Sequence, residues 1–282
     1  MFPGMTQRPR KACPVLAFAL ALALPLLGMG PAQAAAAPLK VTASIRPVAL
    51  LVAAVGGDRV TVHTLLPPGA SPHGYEPTPS QVRDLAGADL LVVVGAGLDL
   101  WAERLHRAVG KGVPELELAG HTRLLPSPVE HHHEGGEDHD EAGHNAEEGH
   151  PHDAGGDPHV WLDPVRVRDD LVPAIVQALS AAAPSQGAEF ARRGTAFRDR
   201  LTALDAELTE GLKPVAGRAF VAFHASFTYF AARYGLRQVA VVEPLPGREP
   251  SARWMRQVIE AGRESGARAV LTEPQFNPRI AR

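Results

Sequence analysis

The spacing of apolar and polar positions changes repeatedly along this chain, and each change predicts an element. "LKVTASI" (39–45) reads as a strand, and Pro47 opens a helical stretch to about Val55. "RVTVHTLL" (59–66) alternates and is rich in β-branched residues, the pattern of a second strand. "PPGASPHGYEPTPS" is a loop by its Pro and Gly content, after which Thr78 caps and Pro79 starts a short helix to Gly87. "DLLVVVG" (89–95) is a continuous apolar run, as expected of a strand covered on both faces. Trp101, Leu105 and Val109 mark the next helix, and 115–118 a short strand. Beyond residue 157 come "HVWLDP", a helix from about Val165 to Ala182, and a longer helical pattern from Pro184 to about Leu212. Alternation then resumes with strand 220–224, a helix to Tyr234, strand "QVAVVE", helix 251–265 and strand 268–273.

Strands alternating with helices predict α/β architecture, with mostly parallel sheets flanked by helices. The expected organisation is an N-terminal lobe over 35–183, a linker helix over 184–212 and a C-terminal α/β lobe over 213–282, with 1–34 as a leader. Asn277-Pro278 looks like an N-cap followed by a first helical residue, yet only four residues follow. The expectation is therefore a truncated second lobe, with 277–282 poorly anchored and a sheet edge exposed.

The leader changes the setting. Arg8, Arg10 and Lys11 precede an apolar run from Pro14 to Gly30 and an Ala32-Gln33-Ala34 motif, the layout of a cleavable signal peptide. Cleavage after Ala34 would remove Cys13, the chain's single cysteine, so disulfides are excluded and a transition-metal site must use His and carboxylates. A bacterial periplasm is the simplest destination.

Charge separates one segment from the rest. Residues 130–157 hold seven His and ten Asp or Glu, with no Lys or Arg. Of the net −3, the leader carries +3 and this segment −10, which leaves the remainder at +4, without the dense basic stripe that nucleic acid would require. So few apolar side chains cannot offset ordering entropy, so 130–157 is expected to be a disordered, metal-binding loop. His131, His132, His133, His139, His144, His150 and His152 would bind metal weakly, for want of fixed geometry.

Six histidines lie elsewhere. His63 within a strand, His106 on a polar helix face and His121 in a loop read as structural. His73 and His224 both follow strand carboxyl ends, where open α/β sheets bind ligands, and His159 sits where the His-rich segment rejoins the fold. Three imidazoles converging between the lobes would make a zinc-type site.

"LLPPGASPHGYEPTPSQVRDLAGADLLVVVG", "DPHVWLDP", "FHASFTYFAARYGL", "EPSARWMRQVI" and "LTEPQF" resemble the solute-binding proteins of bacterial zinc and manganese ABC importers, closest to the periplasmic zinc-binding (ZnuA-type) branch. The similarity runs from about Val41 to Phe276. It implies two α/β lobes joined by one rigid helix, metal held in the cleft, and His73, His159 and His224 as its three histidine ligands. It also implies an ABC permease in the inner membrane as partner, Zn²⁺ as transported ligand and no catalysis. A periplasmic metal donor is a second candidate partner, and the chain is expected to be a monomer. The match departs from the family at Pro72, where some zinc binders place an acidic residue, and at Arg282, where the family continues. Resemblance puts a Glu at the position of His224 in manganese binders, so three imidazoles favour zinc over manganese or iron.

Two other readings remain. A secreted zinc hydrolase would also use three His, but His133-Glu134-Gly135-Gly136-Glu137 lacks the second His of H-E-x-x-H. A metal buffer would place all binding in the His-rich loop.

Overall fold

The computed structural model describes residues 37–110, 112–127, 156–244 and 247–273. The leader, the seven histidines from His131 to His152 and the predicted helix start at 277–282 lie outside them.

Residues 39–117 build the first sheet. β1 (Leu39–Ala43) leads through α1 (Arg46–Gly56) to β2 (Val60–Thr64); α2 (Pro79–Ala86) precedes β3 (Leu90–Val93), and α3 (Leu100–Val109) precedes β4 (Glu115–Glu117). All neighbours pair in parallel in the order β2-β1-β3-β4, so every strand ends on the same edge. All four residues of β3 are buried, as its unbroken apolar run requires. α1 turns Val48, Val52 and Val55 into the core, with Pro47 in its first turn. α2 carries the predicted cap as a full capping box between Thr78 and Gln81. On one face the core gathers Val41, Val92 and Leu118 with α1; on the other it gathers Leu91, Val93, Trp101 and Leu105. Each fully buried side chain of this size contributes roughly 1.5–3 kcal/mol.

The next helical stretch is not the uniform helix its apolar spacing predicts. α4 (Pro164–Arg166) passes into a π-turn (Val167–Leu171) and then α5 (Val172–Ala182). Pro173 is the cause: without an N–H it cannot bond the carbonyl of residue 169, and Val172 N–H bonds Val167 O instead. α6 (Gly187–Leu212) is 26 residues, about 39 Å at helical rise. Gly194 on α6 is buried against α5, and a Cβ there would lie 2.5 Å from Val176 Cγ2, so the glycine permits the close crossing. Among the described residues no helix is long and apolar enough to cross a membrane.

The second sheet is smaller. β5 (Ala219–His224), α7 (Thr228–Tyr234), β6 (Arg237–Glu243), α8 (Ala252–Glu264) and β7 (Val270–Leu271) give three parallel strands in the order β6-β5-β7. β5 is central and all six of its residues are buried. β7 is shorter than the predicted 268–273; among the described residues it pairs with β5 alone and leaves Val270 exposed.

One boundary is corrected. The segment 130–157 was expected to be a mobile loop throughout, yet Asp157 belongs to the fold at 1% exposure. Its carboxylate accepts from the backbone and ring of His159, and Asp157 N–H bonds Leu125 O. Gly156, at φ +79°, makes that docking possible, since a Cβ would sit 2.7 Å from Leu125 O.

Candidate metal centre

Three separate pieces of chain bring histidines to the carboxyl ends of the two sheets. His73 lies on the Pro- and Gly-rich loop between β2 and α2. The loop is pinned from behind by Trp101, whose Nε1–H donates to Pro72 O at 2.7 Å while its ring meets Tyr75 edge-on at 5.0 Å. His159 closes the Asp157 turn, and His224 is the last residue of β5. One nitrogen from each of the three lies within 4.8 Å of the others. Nitrogens around tetrahedral zinc, at about 2.0–2.1 Å from the ion, lie roughly 3.3 Å apart, so modest side-chain movement would close the triad on an ion.

The rings differ in how they are held. His159 is 4% exposed; its Nδ1–H donates to Asp157 Oδ1 at 2.7 Å, and its Nε2 is buried with no hydrogen-bond partner among the described residues. His224 is equally buried, and its Nδ1–H donates to Glu273 Oε2 at 2.9 Å. That donation leaves His224 Nε2 as an acceptor, which His73 Nε2–H meets at 3.0 Å. Glu273 also accepts from Ser226 Oγ at 3.1 Å. Burial opposes its ionisation, but the hydrogen bonds from His224 and Ser226 favour the charged form and its carboxyl is held below the usual glutamate range.

Neither carboxylate was singled out in the sequence. Asp157 was assigned to the His-rich segment. Glu273 ends the predicted strand 268–273 and follows β7 by two residues, so the rule that identified His224 applies to it equally. β5 and β7 pair Val221 with Val270 and Ala222 with Leu271, so two residues further His224 and Glu273 become neighbours. The register is a tertiary fact, but the strand end was readable.

The surroundings tie the second sheet's helix to the His159 segment. Tyr229 on α7 accepts from Leu125 N–H at 3.0 Å and donates to Asp157 O at 2.7 Å. Arg233, one turn on, forks onto both oxygens of buried Asp163 at 2.9 and 3.1 Å. Asp163 also caps α4 through Val165 N–H at 2.9 Å, and Pro164 follows it, a cap-and-proline signal missed in the sequence.

Of the remaining histidines, His106 bonds Glu115 through Nδ1 at 2.6 Å and Val113 O through Nε2 at 2.7 Å, and so is internally satisfied. His63 and His121 are exposed and take no part in the triad.

Two parallel α/β sheets whose strand ends meet over a small cluster of imidazoles have the architecture of a metal-binding solute-binding protein. The chain belongs to the family described as "Zinc-uptake complex component A periplasmic" (ZnuA), whose model matches residues 41–282. It is 34% identical over 271 residues to the high-affinity zinc uptake system protein ZnuA of Paracoccus denitrificans, covering 90% of this chain and 82% of that one. It is 35% identical over 223 residues to the zinc-binding lipoprotein AdcA of Streptococcus pneumoniae, covering 79% of this chain. The chain spans about 42% of that AdcA, under half its length. A crystal structure of ZnuA superposes with a TM-score of 0.72 at 28% identity, covering 86% of this chain and 85% of that one.

Proposed function

We propose that this protein captures Zn²⁺ outside the cytoplasm, in the periplasm, and hands it to an ABC-type permease in the inner membrane for uptake, without catalysis. The observation that carries the reading is the triad of His73, His159 and His224, with His159 Nε2 buried and without a hydrogen-bond partner among the described residues. An orphaned buried nitrogen is costly unless something ligates it. Imidazole is a good zinc ligand, and manganese sites draw on more carboxylate and water oxygen than three imidazoles supply. Similarity to proteins named for zinc uptake supports the same cargo.

In this reading residues 1–34 are a cleavable signal peptide, 35–183 and 213–282 are the two lobes, and 184–212 is the helix between them. The protein acts as a monomer, and a periplasmic metal donor is a further partner. His131, His132, His133, His139, His144, His150 and His152 bind zinc weakly and raise its concentration near the triad.

The test is the zinc stoichiometry of the purified chain with and without residues 131–152. One tight equivalent should survive the deletion while weak equivalents disappear. Loss of the tight equivalent on deletion would place a ligand in that segment and overturn the division of labour. A tight site that prefers Mn²⁺ over Zn²⁺ would overturn the cargo.

A further inference from the structure

Asp157 and Glu273 occupy matching places in the metal centre. Each is a carboxylate on a different part of the fold, and each accepts the Nδ1–H of one buried histidine, at 2.7 Å for His159 and 2.9 Å for His224. An imidazole that donates from Nδ1 has its lone pair on Nε2, the nitrogen through which His224 meets His73 and the one that buried His159 leaves unbonded among the described residues. Neither residue is explained by packing alone. Asp157 is buried at 1% exposure, and its Oδ2 has no hydrogen-bond partner among the described residues. A carboxylate so placed against a neutral ring lacks a countercharge, and isolated buried charges are strongly disfavoured.

We propose that Asp157 and Glu273 are positioning residues of the zinc site, which preset His159 and His224 as Nε2 ligands and together supply the two negative charges that neutralise a divalent cation. The assignment rests on the zinc reading above. Three neutral imidazoles contribute no charge, so a 2+ ion with these two carboxylates one bond behind the ligands gives a site of net zero. A monovalent ion would leave the buried centre negative and a trivalent one positive, and both are penalised in a low-dielectric setting. The ligand class is therefore a divalent cation with affinity for nitrogen. His73, by contrast, meets His224 through Nε2, so that hydrogen bond must give way for both nitrogens to ligate one ion.

The experiment uses Asp157→Asn, Glu273→Gln and Glu273→Ala in the full chain. Zn²⁺ alone is titrated against a chromogenic chelator, and ring ¹⁵N spectra of the metal-free proteins report the tautomers. Each substitution should weaken Zn²⁺ by about 10–100-fold, the usual cost of losing such a partner. Glu273→Gln should lose less than Glu273→Ala, because its amide oxygen can still accept from His224. Wild-type His159 and His224 should both carry their proton on Nδ1, and Glu273→Ala should move that of His224 to Nε2. Glu273 is more exposed than Asp157, so its variants keep the test alive if Asp157→Asn fails to fold. Zinc affinity within twofold of wild type in Glu273→Ala, or Nε2–H tautomers in the wild-type protein, would overturn the assignment. Absence of zinc binding by the wild-type chain would instead sink the functional reading, and the metal-free tautomers would then decide this one alone.

Discussion

His224 and His73 meet at 3.0 Å, yet the chain presents them in opposite ways. His224 ends a strand buried along its whole length, and a carboxylate from the neighbouring strand holds its far nitrogen. His73 rides on a loop of Pro and Gly residues, half-buried, and that loop is fastened by an indole hydrogen bond at Pro72 and by the Tyr75 contacts with Trp101 and Gln81. His159 is presented like His224, buried and backed by Asp157. The contrast teaches where the proposed site is preorganised: packing sets His159 and His224, while His73 sits on a loop.

The largest expected effect breaks the preset side. Structural zinc sites are worth about 10–16 kcal/mol over four ligands, so loss of one ligand should cost roughly 100-fold or more in affinity. His73→Ala, His159→Ala and His224→Ala should all show that loss by chelator competition, but their stabilities should differ. His159→Ala leaves the buried Asp157 carboxylate with only the backbone N–H of residue 159 and should lower stability without metal by about 1–3 kcal/mol, whereas His73→Ala should change it by less than about 0.5 kcal/mol. Equal stability losses in urea titrations of the two variants would erase the contrast.

Next comes the fastening behind His159. Arg233→Gln removes the fork onto Asp163, which is 6% exposed, and leaves that carboxylate with only its helix-capping bonds and the more distant Arg166. Breaking a buried pair costs 3–5 kcal/mol; with Arg233 partly in solvent, about 2 kcal/mol is expected. Thermal unfolding without metal measures it, and an unchanged midpoint would show that the fork contributes nothing.

A smaller effect sharpens the mobile side. Trp101→Phe keeps the ring but deletes the bond to Pro72 O, at about 1 kcal/mol. It should weaken zinc binding a few-fold through His73 alone, leaving the ring signals of His159 and His224 unchanged. Shifts in all three rings would mean that the loop is not an independent support.

The smallest effect lies on α6, away from both kinds of support. Hydrogen bonds from Arg192 and Arg193 hold the partly exposed Glu189 carboxyl down at about 2 rather than its ordinary 4.5. A depressed carboxyl contributes stability that is present above 4.5 and lost as pH falls towards about 2. The contribution is small because the group is in water and screened. An acid titration of stability in Glu189→Gln should lack this step, and the difference from wild type should vanish in high salt.

Most elements were legible in the sequence because each depends on short-range chemistry. Alternation and β-branching marked β2, an unbroken apolar run marked β3, and Thr78-Pro79 marked the start of α2. Strand-end logic singled out His73 and His224, and the turn back into the fold singled out His159. Less was legible wherever two distant segments had to meet. Apolar spacing carried a helix straight through Pro173, because the π-turn depends on which carbonyl each N–H can reach rather than on which face is apolar. Composition assigned Asp157 to a solvated acidic tract, because composition averages over a segment while burial acts on one side chain.

The sequence by itself determined the kinds of element, their order and the three imidazoles, since periodicity, capping and residue chemistry are local properties. Only the tertiary structure decided which groups share the site. His73 and His224 are 151 residues apart, and Glu273 and His224 are 49 apart. Parallel register puts the second pair on adjacent strand ends, and the meeting of the two sheet edges puts the first in contact. Those distances follow from packing the cores, and no local pattern encodes them.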